Sequence, residues 1–276
     1  MRFQQIFVVK FSESISDLVI GRIGSMADVG IFSRGFGCVL FLNRIIVLAA
    51  GSVTLPFLSS LKRDGGSVRD AYLKIVLLQG ALSLPIFAVV NVSAYPIIQL
   101  LFGDQWISAI PIASILAIWA MFQSIHCFSN AALISMGEEK LMFSSSLIIF
   151  LSRIIAITIA SIAYSPFSLI AVAWAFSASG FIELAVKSWA IRKAMSISII
   201  SQLLSIIPNF IIAAICWRST ILINQLMPFE ETDPWLSLAV LAGIMPIVWL
   251  ISIILIEHDL WVVIKNIVRK KKQLSV

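Results

Sequence analysis

The chain has 276 residues, of which 60% are hydrophobic and only 12% charged, and its mean hydropathy is +1.02. Soluble domains carry about 25% charged residues, and one soluble core of this size could not hide so much apolar surface. A net charge of +6 would suggest nucleic acid in a soluble protein; here the basic residues gather at the ends of apolar runs, where they set membrane orientation and exclude nucleic acid as a partner.

The N-terminal stretch MRFQQIFVVKFSESISD does not read as a signal peptide, because its apolar segment is short and no small-residue cleavage site follows. A spanning helix needs about 20 mostly apolar residues. Taken in chain order, such segments lie near 4–24, 30–61, 70–92, 107–135, 140–163, 167–191, 197–221 and 235–257. The expected fold is an all-α polytopic transmembrane bundle of about eight spans over residues 1–260, with a basic cytoplasmic tail at 261–276. The first two segments carry Lys10, Glu13, Asp17, Arg22, Arg34 and Arg44, so their polar faces are expected to look away from lipid.

Turn signals separate the segments: SMADVG at 25–30, KRDGG at 62–66, FGDQW at 102–106, MGEEK at 136–140, YSPFS at 164–168 and MPFEETDP at 227–234. Alternate connections share one charge. Thirteen of the twenty basic residues, Lys62, Arg63, Arg69, Lys74, Lys140, Lys187, Arg192, Lys193, Lys265, Arg269, Lys270, Lys271 and Lys272, fall on one side. The other side has Arg34 and Arg218 beside Asp28, Asp104, Glu230, Glu231 and Asp233. By the positive-inside rule both termini are expected in the cytoplasm.

Ionisable residues inside a membrane are costly and mark functional surfaces. Lys10, Ser14, Asp17 and Gly21 fall on one helical face, with Glu13 beside it. Arg34 and Arg44 lie ten residues apart, so their directions differ by roughly 80° at 3.6 residues per turn, and both could line one broad cavity. The functional reading is a cationic, water-filled lumen in which guanidinium groups bind phosphate; the alternative is that Asp17 pairs with Arg22 or with an Arg of the next helix and locks the bundle. Arg153 either faces the lumen or snorkels to an interface. Glu183 and Lys187 are spaced for an i,i+4 ion pair. His126, in QSIHCFSN, reads as a hydrogen-bonded helix contact more readily than as a proton relay.

Cys38, Cys127 and Cys216 stand alone within apolar segments and read as small core residues. No GxSxG, HExxH or Walker loop is present, and His126 and His258 are far apart, so neither an enzyme, a metal nor a cofactor is expected.

Several motifs carry a resemblance. SISDLVIGRIGSMADVGIFSRGF at 14–36 resembles the seventh-helix region of Wzx-type polysaccharide flippases, of the multidrug/oligosaccharidyl-lipid/polysaccharide exporter superfamily, through Asp17, Ile20, Gly21, Gly30, Phe32, Ser33 and Arg34. VTLPFLSSLKRDGGSVRDAYLK at 53–74 is similar to the family's loop after the eighth helix. YPIIQLLFGDQWISAIPIASILAI at 95–118 looks like its Pro–Gly–Trp–Pro segment through Pro96, Leu101, Gly103, Trp106, Ala109, Pro111, Ile115 and Leu116. ALISMGEEK at 132–140 and LIAVAWAFSAS at 169–179 follow in order, with Ala171 where the family usually has Gly.

The resemblance implies the C-terminal lobe of a fourteen-helix, two-lobed flippase in the bacterial inner membrane. It implies transfer of undecaprenyl-diphosphate-linked repeat units for O-antigen (lipopolysaccharide), capsule or exopolysaccharide by alternating access. The partners it implies are the lipid-linked oligosaccharide, membrane lipids, a missing N-terminal lobe and other polysaccharide assembly proteins. Candidate lumen residues are Arg34, Arg44, Asp17, Arg22, Lys10, Glu13 and Arg153. A cation-coupled multidrug exporter of the same superfamily, with Asp17 or Glu13 as its carboxylate, and a non-transporting fragment are the alternatives. A membrane glycosyltransferase or polymerase fits less well, because the connections leave little room for its site.

Overall fold

The computed structural model of the chain describes residues 15–164, 166–263 and 265, which form a bundle of helices with no strand among the described residues. The helical residues 15–23 are α1. The next elements are α2 (Met26–Arg63), α3 (Val68–Val92), α4 (Ala94–Phe102), a 3-10 turn (Asp104–Ala109), α5 (Ile110–Ile125) and α6 (Ser129–Met136). The chain continues through α7 (Glu139–Ala163), α8 (Leu169–Met195), α9 (Ile199–Leu226) and α10 (Pro234–Leu255). Seven helical stretches among the described residues are long and apolar enough to cross a membrane, one of them the composite Asp104–Met136. Of the segment expected at 4–24, the part before residue 15, with Lys10 and Glu13, lies outside the described residues, as does the tail beyond Lys265.

Three boundaries differ from expectation for local reasons. The connection expected at 25–30 shrinks to Gly24 and Ser25, because Ser25 and Asp28 form a reciprocal capping box: Asp28 N–H donates to Ser25 Oγ at 3.2 Å and Ser25 N–H to Asp28 Oδ2 at 2.9 Å. Helix α2 therefore starts at Met26. The segment at 70–92 is followed by a further short helix, α4, after a kink at Ser93. The segment expected at 107–135 is broken at His126–Phe128, where the His126 backbone leaves the helical region (φ −111°, ψ 33°). Gly137 (φ +82°) then ends α6 in the left-handed conformation that glycine adopts without a Cβ penalty, and Lys62 caps the same end by donating to the Ser135 and Met136 carbonyls at 3.2 and 3.0 Å.

Helices α3 and α5 form the centre. Helix α3 packs on α9 and α5, and α5 on α8 and α2, while α7 leans on α8 and α10 on α9 and α4. Burial follows that order, with more than half of the α3 window buried but only 22% of the α7 and α10 windows. Helix α7 shows why. Ile148, Leu151, Ile155, Ile159 and Ile162 form an exposed apolar stripe at helical spacing, and Ile149, Arg153, Ile157 and Ala160 form the buried stripe opposite. An apolar outer face with polar groups turned inward is the arrangement that a lipid solvent selects.

Close helix contact depends on small residues, as is usual in membranes. A Cβ added at Gly35 of α2 would lie 3.0 Å from the Ala113 nitrogen and Ile112 side chain of α5. One added at Gly80 of α3 would lie 2.3 Å from Asn209 Nδ2 on α9. The amide of Asn209 is held in that gap, donating to the Leu77 carbonyl at 3.0 Å and bonded to His258 Nε2 at 2.9 Å.

Candidate functional site

A cavity of about 340 Å³ opens among α2, α5, α6, α7 and α8. Its wall includes Asn43 and Arg44 from α2, Trp119 and Gln123 from α5, and Cys127 from the break. Asn130 of α6, Ser146 and Arg153 of α7, and Glu183 and Lys187 of α8 complete its polar lining. Among the described residues its lining holds three cations, Arg44, Arg153 and Lys187, and one carboxylate, Glu183. The break before α6 supplies part of its polarity. Irregular backbone is tolerated at membrane depth where it is buried in protein or lines a cavity, and here Cys127 does the latter. His126 is turned away from it and buried, bonded to Tyr72 Oη at 2.8 Å and Ser188 Oγ at 2.9 Å. It ties α5 to α3 and α8, the helix-contact role expected from its sequence setting.

The ionic centre is built by α7 and α8. Arg153 Nη2 donates to Glu183 Oε2 at 2.8 Å, and Lys187 Nζ to Glu183 Oε1 at 2.6 Å. Arg153 is 5% exposed and Glu183 5%, so this is an interior cluster and not an interfacial snorkel. Arg153 Nε also donates to Ser179 Oγ at 3.3 Å. Its guanidinium lies over the rings of Phe176 (4.7 Å) and Trp119 (5.3 Å), and such faces favour a weakly hydrated planar cation. The expected i,i+4 pair of Glu183 and Lys187 is present, but as part of a triad in which one carboxylate serves two cations.

The structure brings together Arg44 and Arg153 of the expected lumen set and places Arg34, Asp17 and Arg22 elsewhere, while Lys10 and Glu13 lie outside the described residues. Arg34 is exposed, with its guanidinium 4.9 Å over Trp106 and 5.4 Å over Phe102 at the α4 corner. It is not on the wall that holds Arg44, so the two do not share this cavity. Asp17 is half-buried and accepts from Ser33 Oγ of α2 at 3.3 Å; it meets the next helix through a serine, not an arginine. Arg22 is exposed and off the cavity wall. Sequence reasoning missed Asn43, Trp119 and Gln123. A buried Asn beside Arg44 inside an apolar run was the available signal for the first; Trp119 offered none, because an aromatic in an apolar run reads as core. Cys38 and Cys216 are buried core thiols, Cys127 is half-buried, and no group of three or more metal-ligating side chains occurs among the described residues.

Comparison with known proteins agrees with this architecture. Residues 2–111 match a family model described as a polysaccharide biosynthesis protein, a stretch that holds Asn43 and Arg44 but ends before the ionic triad. The chain is similar to the teichuronic acid biosynthesis protein TuaB of Bacillus subtilis (strain 168), 23% identical over 215 residues, which cover 75% of this chain and 42% of TuaB. Its fold matches a solved structure of the lipid II flippase MurJ in an inward closed conformation, with a TM-score of 0.70 and 17% identity over 94% of this chain and 54% of that one. The chain thus spans about half the length of the proteins it matches. The chain therefore has a helical fold like that of MurJ, and in sequence it resembles proteins of polysaccharide biosynthesis.

Proposed function

We propose that this chain forms one wall of a path that carries lipid-linked oligosaccharides across the bacterial inner membrane. The observation that carries the reading is the interior cavity whose described lining gathers Arg44, Arg153, Lys187 and Glu183 within a bundle of apolar helices. In a low-dielectric interior a cation attracts an anion far more strongly than in water, and guanidinium groups match phosphate oxygens in pairs. A diphosphate-linked or acidic glycan is the cargo with that chemistry. The sugar enters the cavity, its lipid tail stays in the bilayer, and alternating access moves it across. The facing wall comes from a further helical bundle, in a longer protein or as a partner chain, with the basic connections and both termini in the cytoplasm. A cation-coupled drug exporter fits less well: among the described residues the buried carboxylate in the cavity, Glu183, already serves two cations.

The test is complementation. The chain is produced alone and with a six-helix N-terminal lobe in a bacterium that lacks its flippase and makes the matching repeat unit. Surface polysaccharide is expected only when both lobes are present. Arg44→Ala is expected to lower it on the order of tenfold or more, the effect of losing one charge-assisted hydrogen bond to cargo, with the protein still in the membrane. Restoration by the chain alone would overturn the two-lobe reading, and no restoration despite membrane insertion would favour a non-transporting fragment.

A further inference from the structure

Two tryptophans on the basic side of the bundle each carry a lysine over the ring. Lys193 Nζ of α8 lies 5.4 Å over Trp189, and Lys265 Nζ, in the segment after α10, lies 4.9 Å over Trp261. Both lysines are exposed, Trp189 is 45% exposed and Trp261 is half-buried. Neither lysine has an ion pair among the described residues. The outer face of α8 runs through exposed Ile182 and Trp189 and turns from apolar to basic at Arg192 and Lys193.

Hydrogen bonds hold the two pairs at one end of the bundle. Helix α10 closes in a Schellman turn: Glu257 takes φ +53°, its N–H donates to the Ile254 carbonyl at 3.2 Å, and that of His258 to the Ile253 carbonyl at 3.1 Å. The helical residues 259–263 follow. His258 pins them to α9: its Nδ1 accepts from Leu260 N–H at 3.0 Å, so Nε2 donates to Asn209 Oδ1 at 2.9 Å. Trp261 packs against the cluster of Ile212, Cys216 and Ile253. Roughly two turns earlier in α9, Gln202 Nε2 donates to the Ser188 carbonyl, beside Trp189, at 3.1 Å. Asn209 also reaches the Leu77 carbonyl, about one turn from exposed Lys74. Helix α9 thus gathers the basic ends of α3, α8 and α10 on one side.

We propose that the Trp189–Lys193 and Trp261–Lys265 pairs bind the headgroup phosphates of anionic glycerophospholipids. This does not rest on the flippase reading. An indole favours the boundary between hydrocarbon and headgroups. An ammonium laid over its ring still has N–H donors for a phosphate. A lysine at an anionic surface is worth about fivefold in affinity at low salt. Exposed Glu257 and Asp259 oppose an anion at the second pair, so the larger effect is expected at Lys193.

The experiment gives the full chain in detergent equal amounts of phosphatidylglycerol and phosphatidylcholine with the same acyl chains. Retained lipid is counted by native mass spectrometry, and undecaprenyl diphosphate is offered in a separate arm. Phosphatidylglycerol is expected to be retained about fivefold or more over phosphatidylcholine. Lys193→Gln is expected to lower that ratio severalfold, Lys265→Gln to lower it less, and the double variant to bring it near one. High salt is expected to do the same, because it screens exposed charges. Melting temperatures stay near wild type, since both lysines are exposed. A wild-type ratio near one, or a ratio unchanged in the double variant, overturns the proposal. An unchanged ratio in Trp189→Leu overturns the pairing of indole with lysine. Retention of undecaprenyl diphosphate without phosphatidylglycerol, lost in the double variant, overturns the phospholipid assignment and gives this rim to the cargo.

Discussion

Glu183→Gln is expected to be the most damaging single charge change in the described part of the chain, lowering stability by about 3–5 kcal/mol. The reason is arithmetic at one carboxylate. Glu183 holds Arg153 at 2.8 Å and Lys187 at 2.6 Å, and all three side chains are buried or nearly so. Neutralising Glu183 removes the carboxylate that both cations share, in an interior that solvates charge poorly. Removing either cation leaves the other still paired, so Arg153→Gln and Lys187→Gln are expected to cost clearly less. Buried ion pairs can be replaced by apolar residues of similar volume at little or no cost. The combination Arg153→Met, Glu183→Leu, Lys187→Met is therefore expected to fold as well as wild type and to move no cargo. Thermal unfolding in detergent, with membrane level and surface polysaccharide measured alongside, separates these effects. A melting temperature for Glu183→Gln close to wild type would show that the triad does not hold the helices; an active triple variant would remove it from the transport path.

That triad marks the limit of what was legible beforehand. Each member is visible in the sequence: Arg153 as a lone charge in an apolar run, Glu183 and Lys187 as an i,i+4 pair. Helical periodicity tells which face a side chain takes, but not which helix lies opposite, so the contact between positions 153 and 183 could not be read. The same limit explains Arg34 and Arg44. Their differing directions were computable, and the structure sends one to Phe102 and Trp106 and the other to the cavity. The helical class and the apolar runs were legible, because a bilayer demands long apolar stretches with satisfied backbones. The break at His126 was not. It arises from bonds to Tyr72 and Ser188 on two other helices, although the cluster of polar residues in QSIHCFSN was its trace.

Gly80→Leu is expected to prevent stable accumulation, and Gly80→Ala to cost about 1–5 kcal/mol, from an overpacking term of ~1–3 kcal/mol and a damaged buried polar contact of ~1–3 kcal/mol, less the ~1 kcal/mol that alanine gains in a helix. In an isolated helix the alanine would stabilise by ~1 kcal/mol, so the sign is set by the neighbour. A Cβ at position 80 would stand 2.3 Å from Asn209 Nδ2 and 3.2 Å from its Cγ. Asn209 is short and cannot simply swing aside, because its amide bridges the Leu77 carbonyl and His258. Moving it breaks the bond that ties α9 to α3 and the bond that ties the segment after α10 to α9. Helix α3 is the central element, and α9 is the helix it packs against most extensively. A separation of the two would loosen the support behind α5, which carries Trp119 and Gln123 into the cavity. Asn209→Ala relieves the clash but leaves His258 Nε2 without its acceptor. The double variant Gly80→Ala/Asn209→Ala is therefore expected to lie above Gly80→Ala and below wild type in melting temperature. Melting of the three proteins in detergent checks the order. A Gly80→Ala protein as stable as wild type would mean that the α3–α9 interface yields by several tenths of an ångström, and that glycine there is not what sets the helix spacing.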